Sequence, residues 1–289
     1  MKRGWPRVSF VALAACLGAQ AAPKVAVSIP PQKAIVDAVS GGACEVMALV
    51  DAGRDPHVFE PTPRQLDALR GRPLYFTIGL PFEQVLADKL QKINPAMRFV
   101  AMAEAETGAP VHEGAAACEN HEDDPHVWMS PDRLAEQAAA VAAALSALDT
   151  TNAARYAAGA ADFAAKAAAL KAGLAERLRE AGATTVAVYH PAWGHFAEAF
   201  GLVQIAVESH GQSPGARHLA DFEKKVREQG VKTMLVQNEA ERRRVAAFAR
   251  KCGLRTVVVD PLAADVLGTL RATADALCGA DAGAKPAAP

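Results

Sequence analysis

Short apolar runs alternate with longer stretches of helical periodicity along most of this chain. Lys24–Ser28, Glu45–Val50 and Leu74–Ile78 are compact, β-rich runs. They are separated by Pro31–Val39, Arg64–Leu69 and Phe82–Lys92, where apolar residues recur three and four apart. Alternation of this kind predicts a parallel sheet with helices on its faces. Ser130-Pro131-Asp132 reads as a helix start, with Ser130 as N-cap and Pro131 in the first helical position. The pattern resumes after residue 183, with strands predicted at Thr185–Tyr189, Gln204–Val207, Thr233–Gln237 and Thr256–Val259, and a helix over Glu239–Lys251. Between the two halves lies Asn152–Glu180, a stretch without proline made mainly of alanine, leucine and charged residues. Residues of high helix propensity in such number predict one helix of about 42 Å, long enough to cross from one unit to the other. Gly159 and Gly173 interrupt it and offer the alternative of two shorter helices. The expected fold is α/β, two lobes of mostly parallel sheet flanked by helices and joined by one long backbone helix. The expected boundaries are 22–151 for the first lobe, 152–181 for the linking helix, 182–279 for the second lobe and 280–289 for a disordered tail.

Several predicted strands end at residues able to bind a metal. Asp55-Pro56-His57-Val58-Phe59-Glu60-Pro61 and Asp124-Pro125-His126-Val127-Trp128 nearly repeat each other, and Tyr189-His190-Pro191 and Val259-Asp260-Pro261 follow at a similar stride. Proline restricts its own φ and biases its neighbour toward extended conformations, so each side chain leaves the backbone in a defined direction. In open α/β sheets, ligands bind beyond the carboxyl ends of the strands. Four such positions suffice for a tetrahedral zinc site, and the spacing by itself makes a divalent-metal site plausible.

These phrases resemble the zinc and manganese solute-binding proteins of bacterial ABC transporters, the cluster A-I or cluster 9 family. Asp55–Pro63 is similar to its DPHxYEPTP, Asp124–Trp128 to its DPHxW, His190–Leu202 to its HxAFxYFxxxYGL, and Val259–Leu262 to its LDPL. The resemblance covers nearly the whole mature chain. It implies a metal held between the lobes by His57, His126, His190 and Asp260, and a rigid helix that restricts lobe closure. Manganese-binding members carry Glu where His190 stands, so the resemblance is to the zinc type. Neutral imidazole suits zinc and oxygen donors suit manganese, so three His and one Asp point the same way.

The start of the chain is basic at Lys2, Arg3 and Arg7, then apolar from Val8 to about Gly18, with small residues near Ala19-Gln20-Ala21. This reads as a secretory signal over 1–21, with an alternative end at residue 15 if Cys16, in Leu13-Ala14-Ala15-Cys16, becomes a lipidated amino terminus. The expected location is therefore the periplasm, soluble or lipid-anchored. Net charge is −1, or −4 without the three basic leader residues, and no basic stripe with interleaved aromatics is present, so nucleic acid is not an expected partner. Four cysteines remain after the leader. Cys252 and Cys278 are the expected disulfide, closing a loop of 27 residues and worth about 3–4 kcal/mol if the geometry allows. Cys44 with Cys118 is a weaker pairing, and free thiols are the alternative.

Other residues stand near the motifs. Glu60 is a candidate acceptor for His57 or a cap for the helix from Arg64. His195, where the resembling family usually has Tyr, is a spare ligand or a buried ring. His112 and His121, in the Glu104–Asp124 segment, offer an accessory metal-collecting loop or simply a solvated acidic one. Glu208–Pro214 resembles a loop of the family but its polar residues indicate no firm role.

The expected function is a high-affinity receptor, monomeric, that delivers Zn²⁺ to an ABC permease and its ATPase. The alternatives are a manganese- or iron-type receptor of the same family and a zinc-dependent hydrolase. The chain has no His-Glu-x-x-His or phosphate-cradling sequence, so an enzyme is not expected.

Overall fold

The computed structural model describes residues 22–51, 53–102, 124–208 and 214–279. The leader with Cys16, the segment with His112, Cys118 and His121, part of the Glu208–Pro214 loop and the tail from 280 lie outside the described residues.

The first lobe is built on β1 (Lys24–Val27), β2 (Glu45–Ala48), β3 (Leu74–Thr77) and β4 (Arg98–Ala101), in the order β2-β1-β3-β4. The second is built on β5 (Thr185–Val188), β6 (Val203–Ala206), β7 (Thr233–Val236) and β8 (Arg255–Val258), in the order β6-β5-β7-β8. Every pairing is parallel, and the two orders are the same when counted within each lobe. The first lobe carries α1 (Pro30–Ser40), α2 (Pro63–Ala68) and α3 (Pro81–Ile93). Between the sheets run α4 (Pro131–Leu148) and α5 (Ala153–Glu180), and the second lobe adds α6 (Gly194–Ala199), α7 (Ala216–Glu228), α8 (Glu239–Cys252) and α9 (Val266–Leu277). Ser130 caps α4, accepting from the Arg133 N–H with Pro131 in the first turn, as expected.

The lobes repeat a local device as well as a topology. The helix after the third strand of each sheet has a buried carboxylate in its first turn, folded back onto the strand end. Glu83 accepts the N–H groups of Ile78, Gly79 and Leu80. Glu241 accepts the Gln237 N–H, while the side chain of Asn238 caps α8. Orphan donors at a helix start are thus satisfied inside the protein, where water cannot serve them.

α5 is a single 28-residue helix. It packs along α4, against α1 in the first lobe and against α9 in the second. Arg177 of α5 pairs with Asp275 of α9, and Lys171 of α5 with Asp132 of α4 at 2.6 Å. Gly159 does not break the helix. A Cβ there would lie 2.2 Å from the Val39 carbonyl oxygen, so the glycine is what lets α5 touch the backbone of α1. One hydrophobic core runs through both lobes. It takes in Val25, Val27 and Phe76 of the first sheet, Leu145 and Phe163 of the central helices, and Val186, Val188 and Leu270 of the second lobe. A smaller cluster lies on the other face of the second sheet, with Ala187, Met234, Val245 and Cys252.

That division removes the expected disulfide. Cys252 ends α8 within the smaller cluster, whereas Cys278 packs against the shared core with its thiol toward the Arg177 carbonyl, 3.6 Å away. The second sheet stands between them, and Cys44, Cys252 and Cys278 are all free thiols. Helical periodicity places a cysteine at a helix end but does not say which sheet face the helix covers.

Replacing Gly159 with alanine tests the close helix contact. The substitution raises helix propensity by up to about 1 kcal/mol, yet it forces α1 and α5 apart, at an overpacking cost of about 1–3 kcal/mol. The expected outcome is a lower urea midpoint with an unchanged slope, measured by circular dichroism.

Candidate metal centre

Both Asp-Pro-His phrases fold the same way. The Asp55 carboxylate accepts the His57 N–H at 2.8 Å, and Asp124 accepts the His126 N–H at 3.0 Å. Each closes a tight side-chain turn that leads into a short 3-10 turn, Pro56–Val58 in one and Val127–Met129 in the other. Proline between Asp and His fixes the turn without needing a donor of its own. His57 reaches the cleft from the loop after β2, and His190 from the end of β5.

The three imidazoles meet. Their centroids are 5.6 Å apart for His57 and His126, 5.3 Å for His57 and His190, and 5.4 Å for His126 and His190. One ring nitrogen from each lies within 4.8 Å of the others. Bonds of about 2.0–2.1 Å to one zinc ion would bring such nitrogens to roughly 3.3 Å, so a small contraction converts the group into a ligand set.

Two carboxylates determine which nitrogen faces inward. The Nδ1 of His126 lies 2.6 Å from Asp124, and the Nδ1 of His190 lies 2.7 Å from Glu208. With Nδ1–H donating to the carboxylate, the lone pair of each ring sits on Nε2. The Nε2 of His190 is buried and has no hydrogen-bond partner among the described residues. A buried acceptor left in that state fits a cation. Burial alone would raise the Asp124 carboxyl. The charge and hydrogen bonds of His126, with the charge of His195, outweigh it and hold the group at about 2. For His57, desolvation and then the neighbouring charges of His126 and His190 lower the imidazole to about 4, so it is neutral, with its lone pair available, at pH 7.

Asp260 lines the same cleft but stands outside the close group of three. Its Oδ1 accepts the Leu262 N–H at 2.8 Å, and burial pushes its carboxyl above the usual range. His195 is not among the grouped nitrogens. It is buried on α6, and its Nε2 bonds the backbone carbonyl of Asp124 at 3.1 Å, which ties the second lobe to the loop that carries His126. Trp128 makes a second tie, its indole donating to the Pro261 carbonyl at 2.7 Å. Glu60 is exposed and makes no hydrogen bond to His57, and the cap of α2 is Thr62. Sequence reasoning did not assign Glu208 or the second bond of Asp124. The available signal for Glu208 was its place just beyond β6, next to the strand that ends at His190.

Comparison with known proteins decides the family. The family described as ZnuA, zinc-uptake complex component A, periplasmic, matches residues 25–278. The chain belongs to the ZnuA family. A crystal structure of ZnuA is 33% identical with a TM-score of 0.79, covering 90% of this chain and 99% of that one. A putative metal-binding protein of Chlamydia muridarum is 28% identical over 88% of this chain and 90% of its own length. The zinc-binding lipoprotein AdcA of Streptococcus pneumoniae is 25% identical over 78% of this chain, and the match spans only 47% of AdcA. ZnuA-family proteins of this zinc type are solute-binding receptors, and Zn²⁺ is the ion they bind. Among the described residues no helix is long and apolar enough to cross a membrane.

The low value for His57 has a consequence for the metal-free protein. An unfolded His titrates near 6.5 and this one near 4, so between those values the unfolded chain binds more protons and the folded state loses stability as pH falls. Thermal melts of the metal-free protein from pH 7 to pH 4 are expected to decline more steeply in wild type than in His57→Ala, by up to about one proton's worth of slope. Parallel curves would assign the low value to a group other than His57.

Proposed function

We propose that this protein captures Zn²⁺ through His57, His126 and His190, with Asp260 moving in as the fourth ligand, and hands it to an ABC permease and its ATPase. The observation that carries this reading is the convergence of three ring nitrogens, two of them fixed by Asp124 and Glu208 with Nε2 turned inward. Three nitrogen donors favour zinc over manganese, which prefers oxygen. Four protein ligands leave no coordination position for a water nucleophile, which is the arrangement of a carrier and not of a hydrolase. Export under the 1–21 leader, or anchoring through Cys16, places the receptor beside the permease, where it acts as a monomer. The lobe boundaries 22–151, 152–181 and 182–279 mark the units that present the ion.

Each of His57→Ala, His126→Ala and His190→Ala is expected to weaken zinc binding at least tenfold while preserving the circular dichroism spectrum. Competitive titration against a chromophoric chelator measures this. Near-wild-type affinity in any two of them removes the proposed ligand set.

Because one core and one helix join the lobes, binding is expected to shift loops and leave the lobes in place. Zinc at about a thousand times Kd should stabilise the protein by roughly 4 kcal/mol. Small-angle scattering should give the same radius of gyration with and without the ion, and a clear drop on loading would reveal hinge closure instead.

A further inference from the structure

The cleft around the three imidazoles is far larger than a zinc ion. Its volume is ≈ 260 Å³, and a water molecule's share of liquid volume is about 30 Å³. Beyond the imidazoles its walls are Arg54 from the first lobe and Gln237, Asn238 and Arg244 from the second, beside Tyr189.

The outer part carries both acceptors and donors. Each carboxylate that lines the cleft accepts a hydrogen bond from the protein: Asp55 from the His57 N–H, Glu208 from the His190 ring, Glu241 from the Gln237 N–H, and Asp260 from the Leu262 N–H. Donors stand beside them. The guanidinium of the exposed Arg54 and the side-chain amide of Gln237 have no hydrogen-bond partner among the described residues. Asn238 uses its side-chain oxygen on the Glu241 N–H, which leaves its NH₂ group to donate. The Arg244 guanidinium lies 5.8 Å from the Tyr189 ring centre and shares a side-chain hydrogen bond with Tyr189, and its remaining N–H groups can still donate. An amide NH₂ and a guanidinium can only give hydrogen bonds, so these donors match an acceptor-rich anion. Guanidinium groups contributed by both lobes suit a carboxylate in particular, because the planar fork matches its two oxygens.

We propose that the outer cleft takes a small carboxylate anion beside the zinc ion, so that the protein can capture zinc as a chelate with a polycarboxylate as well as the bare ion. One carboxylate occupies the coordination position that Asp260 otherwise fills, and another lies against Arg54 and Arg244. This rests on the zinc-receptor reading above. No bond is made or broken other than coordination bonds.

Citrate is the probe. Zinc affinity is measured by competition in a metal buffer that holds free zinc constant, without citrate, with millimolar citrate and with millimolar sulfate, and native mass spectrometry records the bound mass. The expected result is at least threefold tighter zinc binding with citrate, no gain with sulfate, and a protein–zinc–citrate species at 1:1:1. In R54Q/R244Q the ratio of affinities with and without citrate should fall to about one. Unchanged affinity in citrate with only a protein–zinc mass overturns the proposal, as does an equal gain from sulfate or a gain that survives in R54Q/R244Q. Failure to bind zinc under any condition would instead overturn the receptor reading on which it rests.

Discussion

Burial of Trp128 and Trp193 between the lobes makes the two sheets parts of one body. Both indoles are fully buried, and each N–H finds a partner, Trp128 the Pro261 carbonyl of the other lobe and Trp193 the Thr273 hydroxyl of its own. Around them the apolar faces of both sheets and the inner faces of α4, α5 and α9 form one continuous core. Large aromatic side chains contribute strongly to such a core, and the buried N–H must find a partner, so size and directionality together fix how the sheets sit. The cleft geometry follows, because His57 is carried by a loop of one lobe and His190 follows a strand of the other.

Preorganisation is unequal among the three imidazoles. Those of His126 and His190 are each oriented by a carboxylate, and the loop of His126 is further tied down by His195 and Trp128. His57 has the turn at Asp55 and little else, and its neighbour Val58 is 79% exposed. In the proposed site a pair of fixed donors would lower the ordering cost of binding, while a looser third would leave an entry and exit route. A receptor has to release its ion as well as hold it.

Much of this was legible in the chain. The strand and helix alternation gave both lobes, since parallel strands buried on both faces read as short apolar runs. β4 escaped: Arg98–Ala101 is a four-residue edge strand, half exposed and close behind a helix. The Asp-Pro-His repeat gave two of the imidazoles with their loop geometry, because proline and an Asp side chain act locally. Glu208 could not be found that way. It meets His190 only through the pairing of β5 with β6, a contact across 18 positions that no local pattern encodes. The disulfide failed for the same reason: Cys252 and Cys278 are close along the chain but lie on opposite sides of a sheet. The single helix through Gly159 was expected, but the reason for the glycine was not legible, since its role comes from the Val39 carbonyl on another helix.

The ties from His195 and Trp128 give the loop of His126 a double allegiance. By chain order it precedes α4 and belongs with the first lobe, yet its bonds are to α6 and to the segment after β8. A cut through the middle of α5 would therefore separate the loop of His126 from His195 and Pro261, which tie it down. Neither fragment, folded alone, would contain a finished half of the cleft, so the working unit of this protein is the whole chain from β1 to α9.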